Sequence, residues 1–217
     1  MSPVATASKA PLRLVAPAAR EGVAAPDDEE LILAVQRGDR QVASALYDRL
    51  IRVVDHTVYR VFGRREVDHD DLVQMVFEQI IVTLSRRSYA RACNLRTWAS
   101  SIASHVAFNA LRSRRRERKV LDREAPPDSE TYAARGDAER EAAVRSDLQL
   151  VRSMLIDMKP QYAETVFLHD VLGHELAEIA LMMRVSVAAA QSRLVRGRKD
   201  LHKRLALAAP AGTRGPR

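Results

Sequence analysis

Six apolar side chains spaced four residues apart, Val42, Leu46, Leu50, Val54, Val58 and Phe62, lead to a stop at Gly63. That spacing lines one face of an α-helix with hydrocarbon, and such a face is stable only against a matching one. Three more stripes supply the match. Leu31, Ile32 and Val35 precede a break at Gly38 and Asp39. Leu72, Val76, Ile80 and Leu84 follow the acidic cluster Asp68, His69, Asp70, Asp71, whose carboxylates suit the positive end of a helix dipole. Leu95, Trp98, Ile102 and Val106 follow a start near Asn94. Four stripes in one stretch predict a single helical bundle over residues 27–119. No strand-like alternation and no internal repeat stand out, so the expected fold class is all-α.

The carboxyl end carries a second signature. Val144, Leu148, Val151 and Leu155 repeat at helical spacing, and Lys159-Pro160 starts the next helix with proline near its first position. Ala177, Ile179, Ala180 and Met183 then place small and apolar groups on one face of a scaffold helix beginning near His174. Ser186 offers an N-cap hydroxyl for a further helix from Val187 to about Leu205. In that helix Ala190, Leu194 and Leu201 face the scaffold, while Gln191, Ser192, Arg193, Arg196 and Arg198 project elsewhere. This is a helix-turn-helix whose first turns, with Ser186, Ala188 and Ala189, would enter a major groove. The plainer alternative is an amphipathic helix with a solvated basic face.

A chain of 217 residues with 47% hydrophobic content can build two small cores. Its formal charge of +7 favours a polyanionic partner, either nucleic acid or an acidic membrane surface, and composition does not separate the two. No apolar run approaches the ~20 residues of a membrane span, and the Ala/Pro/Arg-rich start lacks the apolar core of a secretion signal. A soluble, cytoplasmic protein without membrane insertion is the expectation. Cys93 is the sole cysteine, which rules out an internal disulfide and a cysteine-based zinc site.

Residues 1–26 read as a disordered arm and residues 208–217 as a flexible tail. Between the two helical domains, 27–119 and 141–207, Pro126 and Pro127 break any helix and acids outnumber bases, so 120–140 reads as an acidic, flexible linker. Just before it, Arg112, Arg114, Arg115, Arg116, Arg118 and Lys119 oppose the single acid Glu117. That run extends the helix carrying Trp98 and His105 after a loop with Arg86, Arg87, Tyr89 and Arg91, an interleaving of basic and aromatic groups that suits nucleic acid.

The segments DHDDLVQMVFEQI (68–80) and LRTWASSIASHVAFNALRSRRR (95–116), followed by the terminal helix-turn-helix, together resemble an extracytoplasmic-function sigma factor of bacterial RNA polymerase. The resemblance covers about two thirds of the chain, in the family's order. It implies a first domain that binds core polymerase and opens the start-proximal promoter element, and a second that reads the upstream element as duplex. By that likeness Asp70, Asp71, Leu72, Gln74 and Phe77 contact the polymerase, at its beta-prime clamp helices, while the second domain meets the beta flap. Arg86, Tyr89, Arg91, Asn94, Trp98, His105, Asn109, Arg112, Arg115 and Arg116 would melt the duplex and cradle an unstacked nontemplate base. Ser186, Ala188, Ala189, Gln191, Ser192, Arg193, Arg196 and Arg198 would read the upstream element. The implied partners are core polymerase, promoter DNA and an anti-sigma factor, with no cofactor, no metal and no catalytic residue. This chain departs from the family pattern at His105 and Asn109, where relatives carry Asn and Asp, and at Arg184, Ala189 and Gln191, where they show Gly, Thr and Lys.

Two rival readings fit parts of the chain. The doublets His69-Asp70 and His169-Asp170, with His56 upstream, suggest a helical metal-dependent phosphohydrolase, although the remaining ligand spacing is missing. A helix-turn-helix regulator acting without polymerase explains the carboxyl half equally well, but not the arginine run, Trp98 and DLVQ occurring together.

Overall fold

The computed structural model describes residues 26–39, 41–89, 91, 93–121 and 137–208, and all regular structure among them is helical. The proposed arm apart from Pro26, the tail apart from Ala208, and the linker apart from its ends lie outside the described residues.

Helix α1 (Asp28–Gln36) begins with a reciprocal cap: the Asp27 carboxylate accepts from the Glu30 amide at 2.8 Å, and the Glu30 carboxylate accepts from the Asp27 amide at 3.1 Å. Helix α2 (Val42–Phe62) ends where Gly63 turns left-handed at φ 75°. The guanidinium of Arg152 lies over Gly63, so a β-carbon there would have to push that side chain aside as well as take up left-handed backbone. Helix α3 (His69–Ser85) buries Leu72, Val76, Ile80 and Leu84 as the stripe requires.

Helix α4 (Leu95–Leu121) starts at Asn94, whose side-chain oxygen accepts from the Thr97 amide at 2.7 Å. Its buried face is not the expected one. Leu95 and Trp98 do turn inward, but the row continues through Ala99, Ala103, Ala107 and Phe108, while Ile102 and Val106 are only half-buried. Alanine lets α4 approach α2, its principal neighbour, more closely than isoleucine or valine would, so the small residues take the seam.

Helix α5 (Asp137–Asp157) leads into the second body, and its first stripe residues also differ from expectation: Val144 and Leu148 are exposed, and among the described side chains of this helix only Met154 and Leu155 are buried. The backbone of α4 and α5 is helical into both ends of the segment read as linker. Helix α6 (Pro160–Val166) opens on proline and runs into one wide turn, Phe167–Val171, before α7 (Leu176–Met182) and α8 (Val187–Ala208) complete the helix-turn-helix. The scaffold helix thus starts two residues after His174, and Ala177 lies outside while Leu168, Ile179, Ala180 and Ala190 form its small core.

The larger core is continuous across both bodies. Residues of α1 to α4 join Leu155, Met158, Ala163, Val166, Phe167 and Leu194 in one cluster. Phe108 of α4 meets Phe167 edge to face at 5.3 Å between ring centroids and 89° between planes.

Candidate nucleic-acid and polymerase interface

On the outer face of α3, Asp70, Asp71 and Gln74 are exposed, with Gln74 donating to Glu78 at 3.1 Å. Leu72 and Phe77, expected to meet the polymerase as well, are 3% and 8% exposed and pack inward, Phe77 against Tyr47 at 4.8 Å between centroids. They hold the helix rather than offer surface. His69 belongs to the same device and was not anticipated: fully buried, its Nε2 lies 2.8 Å from Asp55, and Arg65 bridges Asp55 and Asp70 at 3.1 and 3.2 Å. A histidine between acids gives no sequence signal for burial, because its partner sits a helix away.

The loop after α3 carries two arginines, Arg87 and Arg91, in left-handed backbone at φ 51° and 52°. Such a conformation costs a side-chain-bearing residue roughly 1 kcal/mol or more, so neighbouring contacts must hold it. Arg91 pairs with Glu29 of α1 at 2.5 Å, and the Tyr89 hydroxyl donates to the Cys93 carbonyl, closing the loop on itself. Tyr89 and Trp98 are 8% and 9% exposed and lean together at 4.6 Å between centroids. The aromatic members of the expected cradle therefore face each other rather than solvent, and burial pushes the Tyr89 phenol up to about 12. Arg86, Asn94 and Arg116 are exposed.

Farther along α4, His105, Asn109 and Arg112 form a ladder one turn apart. Asn109 bonds His105 Nε2 at 3.0 Å, Arg112 donates to Asn109 at 3.4 Å and lies over the Phe108 ring at 5.4 Å. Arg115, expected to face DNA, is bound instead to the second body, donating to the Ser153 carbonyl at 3.1 Å and pairing with Asp157 at 2.5 Å.

In the reader, Ser186 caps α8 as expected, accepting from the Ala189 amide at 3.2 Å. Ala188, Gln191 and Arg196 are exposed, and Ala189, Ser192 and Arg193 half-buried. Arg193 leans back toward the Met183 sulfur at 3.9 Å. The Arg196 guanidinium beside Tyr162 holds that phenol below its ordinary value. Arg198 is on the far side of the helix, paired with Asp170 at 3.0 Å, and that bond keeps the carboxyl below its usual range. Gly197 escaped the sequence reading: it lets α8 press onto Val166 and Tyr162 of α6.

The two bodies face each other across a cleft of about 830 Å³, lined by Trp98, His105 and Asn109 on one side and Glu164, Met183 and Arg193 on the other. Polar bonds bridge it. Glu164 accepts from His105 at 3.3 Å and lies 3.6 Å from Arg112; His174 bonds Ser100 at 2.7 Å; Arg184, left-handed at φ 53°, donates to the Ser88 carbonyl at 2.6 Å.

Residues 46–117 match the family model for Sigma-70 region 2 and residues 148–201 that for Sigma-70 region 4. The ECF RNA polymerase sigma factor SigC of Mycobacterium tuberculosis is 30% identical over 132 residues, covering 61% of this chain and 67% of SigC. This chain is an extracytoplasmic-function sigma factor. RNA polymerase sigma factor CarQ of Myxococcus xanthus is 29% identical over 136 residues, covering 63% and 74% of the two chains. The solved structure of CnrH in complex with the cytosolic domain of CnrY shares the fold, with a TM-score of 0.51 at 22% identity over 84% of this chain and 99% of that one.

As a sigma factor the chain directs promoter-specific transcription and is not an enzyme. The doublets have other work: His69 is bound to Asp55, and Asp170 to Arg198. Among the described residues no group of three or more His, Cys, Asp or Glu is placed to hold a metal ion, and no helix is long and apolar enough to cross a membrane. A plain helix-turn-helix regulator would leave the region 2 match over 46–117 unexplained.

Proposed function

We propose that the sigma factor divides its work between two domains, 27–119 and 141–207, joined by an acidic linker. The first docks on the beta-prime clamp helices of core polymerase through exposed Asp70, Asp71 and Gln74, with Leu72 and Phe77 fixing the helix that presents them. Its loop from 85 to 94 and the ladder His105, Asn109, Arg112 then hold the opened nontemplate strand. The ladder supplies donors along one helix face, which suits a backbone and a base edge together. The second domain sits by the beta flap and reads the upstream element with Gln191, Ser192, Arg193 and Arg196 near the start of α8. An anti-sigma protein restrains it, and the cytoplasm, where polymerase works, is its compartment.

The observation that carries this reading is the order: a region 2 match on the body bearing the α4 ladder, then a region 4 match on the body bearing the capped reader helix. The test is run-off transcription with purified core polymerase on fragmented genomic DNA. Discrete transcripts appearing only with the added chain are expected. Replacing Arg193 by alanine should then weaken specific promoter binding by ~1–3 kcal/mol at fixed salt, as loss of one good base or phosphate contact does. Absence of co-migration with core polymerase would sink the proposal, and unchanged affinity would remove Arg193 from the reader.

A further inference from the structure

We propose that His69 and Asp55 are positioning residues for polymerase docking: the buried imidazole fixes the Asp55 carboxylate, Asp55 fixes Arg65, and Arg65 holds Asp70 in its docking pose. The inference rests on the reading of Asp70, Asp71 and Gln74 as the docking face. His69 is the first residue of α3 and its side chain is 2% exposed, whereas the Asp70 side chain next to it is 91% exposed. Nε2 of His69 donates to Asp55 Oδ1 at 2.8 Å. Arg65 Nη2 donates to the same oxygen at 3.1 Å and to Asp70 Oδ1 at 3.2 Å. One acceptor on α2 thus ties a core side chain to a surface one.

An imidazole in the core calls for a reason. Nδ1 of His69 is buried without a hydrogen-bond partner, and an apolar side chain would fill the same space without that cost. What the imidazole adds is its one bond, to Asp55. An ion pair as exposed as that of Arg65 with Asp70 holds a geometry poorly by itself, because two long side chains must give up freedom for a screened attraction. Here Arg65 is already turned toward an acceptor that the core keeps still, so its second bond costs less freedom. Arg65 takes Oδ1 of Asp70 and leaves Oδ2 open to a donor on polymerase. Asp68 is tied elsewhere, to Arg114 of α4, and Asp71 stands outside the tether.

The test is titration of core polymerase with the full chain, fluorescently labelled, alongside urea unfolding of each variant. His69→Leu fills the space without the bond, and His69→Gln returns a donor near the place of Nε2. His69→Leu is expected to weaken core binding about three- to tenfold, the worth of one side chain that must be ordered anew, while His69→Gln stays within about twofold of the unaltered chain. In an Asp70→Ala background His69→Leu should add nothing, and in an Asp71→Ala background it should cost its full factor. A general loosening of α3 would penalise both backgrounds alike, and that result overturns the inference, as do equal losses from His69→Leu and His69→Gln. Unchanged affinity in His69→Leu while Asp70→Ala weakens binding overturns it too and leaves the docking face standing. Normal binding by Asp70→Ala alone removes Asp70 from that face, and the inference falls with it. Arg65→Met, at an exposed position, carries the same expectations if His69→Leu does not fold.

Discussion

Replacing Gly197 by alanine tests how tightly the reader helix is seated. In an exposed helix interior this change stabilises by about 1 kcal/mol, because glycine loses more backbone freedom on folding. Here the new β-carbon would stand 2.6 Å from Val166 Cγ2, 3.1 Å from the Tyr162 carbonyl oxygen and 3.4 Å from Tyr162 Cβ. Carbon pairs rest at about 3.5–4.0 Å, so α6 and α8 must part by roughly 1 Å. Val166 is buried and β-branched, so it is stiff at χ1, and the carbonyl belongs to the backbone. Overpacking of that kind costs about 1–3 kcal/mol, and subtracting the helix gain leaves a loss of up to about 2 kcal/mol. The assay is urea unfolding of the full chain, read as a lower midpoint at unchanged slope. A variant that gains about 1 kcal/mol instead would mean that the two helices do not touch at Gly197, and the seating of the reader would have to be redrawn.

Ser186→Ala should cost about 0.5–2 kcal/mol in the same assay through loss of the α8 cap, and Ser186→Asp should restore most of it; equal loss in both would deny the cap. Trp98→Ala should cost about 3–5 kcal/mol, since the ring is core as much as cradle, and a loss below about 1 kcal/mol would show it to be free surface. The closed arrangement should hold best near pH 6.5, the ordinary value for both interface histidines, and loosen to either side. The Glu164 bond raises His105, so its contribution is full below 6.5 and is lost as pH climbs through the raised value. Burial lowers His174, so its contribution is present above 6.5 and is lost as pH falls through the depressed value. Distances between dyes placed by Arg52→Cys and Lys199→Cys in a Cys93→Ser background, measured across pH 5 to 8, check this, and a flat profile or an alkaline limb that survives His105→Gln would contradict it.

The helices of the first body were legible because their stripes are long and their stops are glycines: Gly38 and Gly63 both turn left-handed where the pattern ends. The face of α4 was misjudged for a physical reason. Hydrophobicity ranks Ile102 and Val106 above Ala99, Ala103 and Ala107, but close packing against α2 rewards the smaller side chains. Leu72 and Phe77 show the reverse problem, since a motif read for contact contains residues needed for core. The joining of the bodies was invisible. It depends on pairs such as Phe108 with Phe167 and Arg115 with Asp157, distant in sequence and unremarkable alone. In the reader, Ser186 announced itself by type and position, whereas Arg198 looked like its neighbours and is turned to Asp170 by helix phase.

The Tyr89 hydroxyl, donating to the Cys93 carbonyl, closes a ring in the loop after α3. Burial raises its phenol to about 12, so the donor keeps its proton throughout the physiological range and titration does not open the ring. A chain segment already shaped loses little freedom when it receives a guest. In the proposed reading, this loop then contributes a ready shape to strand capture instead of a rearrangement.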